Sequence, residues 1–484
     1  MREGSGGAPP NLLVIVSDEH RRDAMGAMGH GVVRTPHLDR LAAEGTLFTN
    51  AVTPSPMCVP ARAALATGRH IHATGHWDSA APYDGTPRSW MHALRDRGAE
   101  VVSFGKLHFR SGEDDNGFTR EVLPMHVVGG HGWTIGLLRE DPPPFAGAAE
   151  LAADIGAGET EYSRYDRRIA AEAADWLAAR RPDAGPWAAF VSFVTPHYPL
   201  RAPAEFLALY DAARMPLPHA ASPDELSDHP EIRRLAGFYD YQRHFTGTSL
   251  KEGIAAYFAL VSFMDACVGS LLAALDASGL GGQTHVLYIS DHGELLGDHG
   301  LWTKQVMYEA SLGVPMILKG PGIPAGRRVG TPVSLIDVAP TAAGLFGAGM
   351  EGLPGRPLTD LAREPDDPGR TAFSEYHDGG SSTGTFMVRW SHWKYVHYVG
   401  LPPQLFDLAA DPGEVRDLGR DASEAAVAAR AEGLRRLHAI CDPEKVSAAA
   451  FADQHRRIEA LGGREACRRA DFGHTPAPLT TSSP

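Results

Sequence analysis

Cysteine is scarce in this chain, with four in 484 residues, at positions 58, 267, 441 and 467 and with no Cys-x-x-Cys pair. That scatter argues against a disulfide frame and for reduced thiols in the cytoplasm. Cations are outnumbered, 45 Lys and Arg against 59 Asp and Glu, for a formal charge of −14. Nucleic-acid binding needs a basic face and is excluded on that ground. Small anionic substrates are not, because a few local cations suffice for them. A long apolar run is missing near the N-terminus. The first one, residues 12–16, is five long and meets Ser17-Asp18. A signal peptide needs roughly 7–15 apolar residues and a membrane helix about 20. The expectation is a cytoplasmic protein without a membrane partner. Internal repeats and low-complexity tracts are also absent.

What is present reads as a large α/β protein. The length exceeds a typical domain of about 100–200 residues. A hydrophobic content of 43% and a charged content of 21% are those of a globular chain. Residues 11–17 form a continuous apolar run ending in Asp, as a central parallel strand does. Strands are expected at 100–104, 186–194, 284–290 and 314–318, alternating with helices at 36–44, 88–97, 161–181, 251–278 and 334–346. The 251–278 helix reads as long and amphipathic. This order predicts an α/β sandwich of helices around a large, mostly parallel sheet. Residues 353–370 are rich in Pro, Gly and Asp and read as a linker. Beyond it, short strands at 371–376, 385–390, 393–398 and 404–407 and a helix at 423–440 predict a small α+β domain with an antiparallel sheet. The expected division is therefore 1–370, 371–472 and a Pro/Ser/Thr-rich tail, 473–484, either disordered or an arm wrapping a partner subunit.

Asp18, Lys106, His197 and Asp291 all fall at or just after expected strand ends, where ligands of such sheets gather. Two acidic clusters stand there, Ser17-Asp18-Glu19-His20 and Ser290-Asp291-His292-Gly293-Glu294. Either alone suits a helix cap; together they suit a divalent cation. Residues 58–69 read Cys-Val-Pro-Ala-Arg-Ala-Ala-Leu-Ala-Thr-Gly-Arg. Pro60 suits a first helical turn, the alanines and Leu65 favour helix and Gly68 ends it. Residue 58 then lies at a helix N-terminus, where an anion is favoured.

That stretch resembles the C-x-P-x-R-x-x-x-x-T-G signature of the type I, formylglycine-dependent sulfatases of the alkaline phosphatase superfamily. The chain is similar to bacterial cytosolic choline-sulfatase-like, arylsulfatase-like and phosphonate monoester hydrolase-like members. The resemblance implies an alkaline-phosphatase-like sandwich and a maturation enzyme that oxidises Cys58 to formylglycine (3-oxoalanine), whose hydrate is the nucleophile. It implies one divalent metal, Mn²⁺ or Ca²⁺, held by Asp18, Asp291, His292 and the residue 58 hydroxyl. Glu19 stands where relatives carry Asp or Gln, to ligate or to hydrogen-bond. An imidazole at 292, where calcium-dependent relatives have Asn, suits Mn²⁺ better.

The segments Gly105-Lys106-Leu107-His108-Phe109, Pro196-His197-Tyr198-Pro199-Leu200 and Gly300-Leu301-Trp302-Thr303-Lys304 match the family's in chain order. Lys106 and His108, on alternate positions, share one side of an extended segment. The resemblance implies that Lys106 and Lys304 hold the sulfuryl oxygens, that His197 protonates the leaving alcohol, that Asp291 helps deprotonate the attacking hydroxyl, that His108 takes the proton of the second hydroxyl, and that Arg62 pairs with the aldehyde hydrate. Ser79, in Trp77-Asp78-Ser79-Ala80, stands where relatives carry Asn near the substrate oxygens and can donate one hydrogen bond. Trp393-Lys394-Tyr395 and Leu405-Phe406-Asp407-Leu408 extend the likeness towards the C-terminus.

The implied activity is hydrolysis of a small aryl or alkyl sulfate ester through a covalent intermediate. Two readings stand beside it: a phosphonate monoester or phosphodiester hydrolase using the same site, and an anion-binding protein with Cys58 unconverted. Trp77, Tyr83, Trp133 and Tyr198 are candidates for an aryl or choline pocket. Met25, Met28 and His30 read as packing or loop residues, Cys267 as core and His377 as a solvated loop histidine. Homo-oligomerisation stays open.

Overall fold

The computed structural model describes residues 11–145, 147–183, 185–220, 222, 224–469 and 474–478. Its centre is an eight-stranded sheet. Strand Asn11–Asp18 lies between Trp187–Pro196 and Thr284–Ser290, parallel to both. Glu100–Lys106 follows Trp187–Pro196, again parallel. Alternation sends successive side chains to opposite faces, so Leu12, Val14 and Val16 enter one core and Leu13 and Ile15 the other. Helices cover both faces, which is why these strands are apolar without interruption. Met316–Lys319 breaks the parallel pattern, running antiparallel to Thr284–Ser290.

Two expectations are corrected here. The helix Thr248–Ala277 is not amphipathic in its setting. It is long and apolar enough to cross a membrane, yet 78% of its most apolar window is buried inside the fold. It packs beside helix Glu161–Ala178 over the parallel strands. The segment 353–370 is not a free linker. Leu358, Leu361 and Ala362 are buried in the main core, and Arg370 pairs with Asp337 at 2.6 Å.

The second sheet has four antiparallel strands, Ala372–Tyr376, Thr385–Trp390, Trp393–Tyr398 and Gln404–Asp407, in sequence order. Helix Glu424–His438 covers it. Its Tyr376, Met387, Val396 and Tyr398 form one apolar cluster with Met57 and Cys58. Glu375 N–H donates to the Pro54 carbonyl at 3.0 Å. The small sheet therefore buttresses the segment that carries Cys58. The helix Pro443–Ala460 has no counterpart in the sequence reading. Of the tail, 473 and 479–484 lie outside the described residues. Residues 474–478 lie against their own chain: Tyr162 donates to the Thr475 carbonyl at 2.7 Å, and His474 Nε2 is 2.7 Å from Glu161.

Candidate active site

Four parallel strands deliver the site. Asp18 and Lys106 end their strands, His197 follows Pro196, and Asp291 follows Ser290. Because these strands are neighbours in the sheet, the four residues meet at its carboxyl edge. The helix Cys58–Thr67 points its N-terminus there. Gly68 closes it with φ 66°, its N–H reaching the Ala64 carbonyl. A Cβ at Gly68 would stand 2.5 Å from that of Ala339, so the turn and the packing both require glycine.

One donor atom from each of Asp18, Cys58, Asp291 and His292 falls within 4.8 Å of the others. Asp18, Glu19 and His197 form a second such set. His292 Nδ1 is 3.0 Å from the Gly293 carbonyl. A carbonyl only accepts, so Nδ1 carries the proton and Nε2 presents its lone pair, 3.3 Å from Cys58 Sγ and 3.4 Å from Asp18 Oδ1. Asp291 Oδ1 accepts from the backbone N–H groups of Glu19 and His292 at 3.2 and 3.0 Å. Asp18 Oδ1 and Glu19 Oε1 are buried with no hydrogen-bond donor. Unpaired buried carboxylate oxygens are costly, and a cation satisfies them. The donor set fits one divalent ion.

Arg62 lies behind these carboxylates. Its Nε donates to Asp291 Oδ2 at 2.8 Å, and its Nη1 to the Lys106 carbonyl at 2.8 Å and to Ser192 Oγ at 2.9 Å. Nη2 lies 3.7 Å from Asp18 Oδ2. Its bonds thus orient the acidic groups. Lys106 Nζ contacts Asp18 Oδ2, and Lys304 Nζ is 3.1 Å from Glu19 Oε2.

Burial sets the proton affinities. It would raise the Asp18 carboxyl, but Lys106, His197, Arg62 and His292 outweigh it and hold that group well below the usual range. Glu19 goes well above the usual value, burial exceeding the pull of Lys304. Burial lowers His197, and Lys304 adds to this; burial and then Lys106 do the same to His108. Both His108 nitrogens are buried and unpartnered. His197 Nδ1 lies 2.9 Å from the Tyr198 carbonyl, leaving Nε2 3.3 Å from Glu19. Burial and Asp18 push the Cys58 thiol up to about 12, so as a thiol it stays protonated and is a poor nucleophile.

Cys58, Ser79, Lys106, His108, His197 and Lys304 line one cavity of about 430 Å³. Its other wall is aromatic, with Trp133, Phe145, Tyr162, Tyr198, Tyr239 and Tyr241.

The sulfatase family model matches residues 10–348. The chain belongs to the sulfatase family. With it come the alkaline-phosphatase-like fold seen above and hydrolysis of sulfuric esters as the activity class. A second model, N-sulphoglucosamine sulphohydrolase C-terminal, matches residues 297–439, spanning the boundary expected at 370. A choline-sulfatase of Rhizobium meliloti (strain 1021) is 32% identical over 463 residues, 93% of this chain and 90% of that protein. Human arylsulfatase K is 29% identical over 471 residues, 91% of this chain and 83% of the relative. The crystal structure of a phosphonate monoester hydrolase of Agrobacterium radiobacter superposes with TM-score 0.74 at 26% identity, covering 89% of this chain and 95% of that one.

The structure brings Asp18, Cys58, Asp291 and His292 together, puts Ser79, Lys106, His108, His197 and Lys304 on the cavity with Cys58, and sets Glu19 and Arg62 against the carboxylates and lysines behind it. The aromatic wall is a partial match. Trp133 and Tyr198 line the cavity. Tyr83 points into the main core and donates to the Pro87 carbonyl at 2.8 Å, and Trp77 Nε1 donates to Asp453 at 2.7 Å. Phe145, Tyr162, Tyr239, Tyr241, Gln305 and His474 were missed; no motif marks them, and only tertiary packing collects them. His377 is corrected. It is fully buried, with Nε2 3.1 Å from Glu375 and its ring against Trp77 and Phe386. Met25 and Cys267 are buried packing residues.

Proposed function

We propose that this sulfatase hydrolyses the sulfate monoester of a small aryl or alkyl alcohol, with Cys58 oxidised to formylglycine and one divalent ion bound, Mn²⁺ in preference to Ca²⁺. The observation that carries the reading is the meeting of Cys58 Sγ with Asp18, Asp291 and His292 beside a cavity that Cys58 lines together with Lys106, Lys304, His108 and His197. A divalent ion there, held by Asp18, Asp291 and His292 with Glu19 beside them, supplies Lewis-acid stabilisation of negative charge. Oxidised and hydrated, residue 58 supplies the nucleophilic hydroxyl.

The chain's own groups do the rest. Arg62 holds Asp291 in place to accept a proton from that hydroxyl. Lys106 and Lys304 stabilise charge on the sulfuryl oxygens. His197 delivers a proton to the leaving alcohol oxygen, and His108, without a protein partner, accepts one from the second hydroxyl of the hydrate. The aromatic wall receives the alcohol. A maturation enzyme for Cys58 and a cytoplasmic setting belong to the same reading.

Chemistry at phosphorus is the second reading, favoured by the superposition on a phosphonate monoester hydrolase. The test is peptide mass for the aldehyde at position 58, then matched kcat/KM on 4-nitrophenyl sulfate, 4-nitrophenyl phenylphosphonate and bis-4-nitrophenyl phosphate. A larger value for the sulfate is expected. A preference for either phosphorus ester transfers the protein to the second reading.

A further inference from the structure

We infer that Ser79 faces the substrate as a hydrogen-bond acceptor, held so by Asp378 of the small domain, and that the pair selects sulfate esters whose alcohol carries a hydroxyl or N–H beside the ester oxygen. This deepens the sulfatase reading and rests on it. The aromatic wall narrows the class to hydroxylated aryl sulfates, of which a catechol monosulfate is the simplest.

Ser79 lines the cavity with Lys106 and Lys304. Its hydroxyl donates to Asp378 Oδ2 at 2.5 Å, and its backbone N–H donates to the same oxygen at 2.7 Å. Gly379 N–H donates to Asp378 Oδ1 at 2.7 Å. A carboxylate accepts only, and a serine hydroxyl has one proton and two lone pairs. With that proton committed to Asp378, Oγ turns only lone pairs to the cavity. A sulfate oxygen also brings only lone pairs, so Ser79 does not hold it; the two lysines are the donors for that task. An acceptor in this position can pair with a donor on the alcohol.

The Asp378 loop is built into the aromatic wall. Trp133 N–H reaches the Ser79 carbonyl at 3.3 Å. A Cβ on Gly379 would stand 2.5 Å from the Trp133 ring, and one on Gly136 would stand 2.2 Å from Asp378 Oδ1. Asp378 is therefore a positioning residue beneath Ser79 and Trp133. The charged and titratable groups around it are Asp78, Arg139, Tyr239 and Tyr376. Asp78 accepts from Gln454 at 2.7 Å, and Arg139 donates to Gln454 and to the Ser381 and Thr383 carbonyls. Burial and then Asp78 bring Asp378 up to about 7.

The test compares kcat/KM for catechol monosulfate and phenyl sulfate as a ratio, in the wild type, Ser79→Ala and Asp378→Asn, from pH 5.5 to 8.5. Thermal unfolding verifies the fold of each variant. Groups that titrate alike for both esters cancel in the ratio. At pH 8 the ratio is expected to be about tenfold lower in Ser79→Ala, the weight of one hydrogen bond to a buried acceptor, and lower in Asp378→Asn. In the wild type it is expected to fall as the pH drops through about 7, where Asp378 gains a proton and the hydroxyl proton of Ser79 is freed. In Ser79→Ala it is expected to be flat with pH. A ratio that Ser79→Ala leaves unchanged or raises, or a fall with pH that persists in Ser79→Ala, overturns the inference. If the wild type hydrolyses neither ester, the small aryl sulfate reading itself fails and this inference falls with it.

Discussion

Arg62→Met tests whether the acidic cluster is a preorganised site. The guanidinium and its main partner, Asp291, are 1% and 0% exposed and 2.8 Å apart. Removing it leaves Asp291 with two backbone donors on Oδ1 and none on Oδ2. The Lys106 carbonyl and Ser192 Oγ lose the same donor. Breaking one side of a buried pair costs about 3–5 kcal/mol. The assay is equilibrium urea unfolding of metal-free wild type and variant, and a loss of that size is expected. A divalent ion supplies positive charge to the same carboxylates, so saturating Mn²⁺ should stabilise the variant more than the wild type and narrow the gap. Arg62→Lys keeps the charge but not the planar fork that serves three partners at once, and should fall between the two. A metal-free Arg62→Met protein within about 1 kcal/mol of the wild type, well short of the cost of a broken buried pair, would refute the account of Arg62. So would a gap that Mn²⁺ widens.

The other predictions concern chemistry. Cys58→Ser should lose steady-state turnover, because serine has no second hydroxyl with which to expel sulfate; repeated turnovers near the wild-type rate would exclude the aldehyde hydrate as nucleophile. His197→Ala should lose about 10²–10⁴ in kcat/KM on alkyl sulfates and much less on 4-nitrophenyl sulfate, whose leaving group needs little protonation; equal losses would remove His197 as the acid. After chelation, Mn²⁺ should restore more activity than Ca²⁺, since His292 brings an imidazole nitrogen to the donor set, and the reverse order would contradict that. Ending the chain before His474 removes two residues of the cavity wall and should raise kcat/KM for 2-naphthyl sulfate relative to phenyl sulfate. An unchanged ratio would show that residues 474 and 475 do not limit the size of the alcohol.

The site was legible wherever chemistry and local structure share a short segment. Parallel strands buried on both faces show as unbroken apolar runs, and the residue that ends each run, such as Asp18, or follows it, such as Asp291, is placed by the sheet alone. The Cys58 helix carries its start, turn and stop within 11 residues. Legibility failed where placement is decided by a distant partner. The 251–278 segment looks two-sided by composition but is enclosed because helix Glu161–Ala178 and the sheet take up its faces. His377-Asp378-Gly379-Gly380 has the composition of an exposed loop, and nothing within it announces a buried Glu375–His377 contact or a carboxylate beneath Ser79.

The same division separates the two halves of the catalytic problem. Most groups that act on the sulfuryl centre sit at strand ends and a helix start, which the topology fixes. The groups that meet the alcohol are scattered over separate helices, as Tyr162 and Tyr239 are, and loops, as Phe145 and Tyr198 are. Ser79 and Asp378, 299 positions apart, meet only because the second sheet packs on the Cys58 segment. Substitutions in that sheet should therefore change which alcohol is accepted before they change whether sulfate is released.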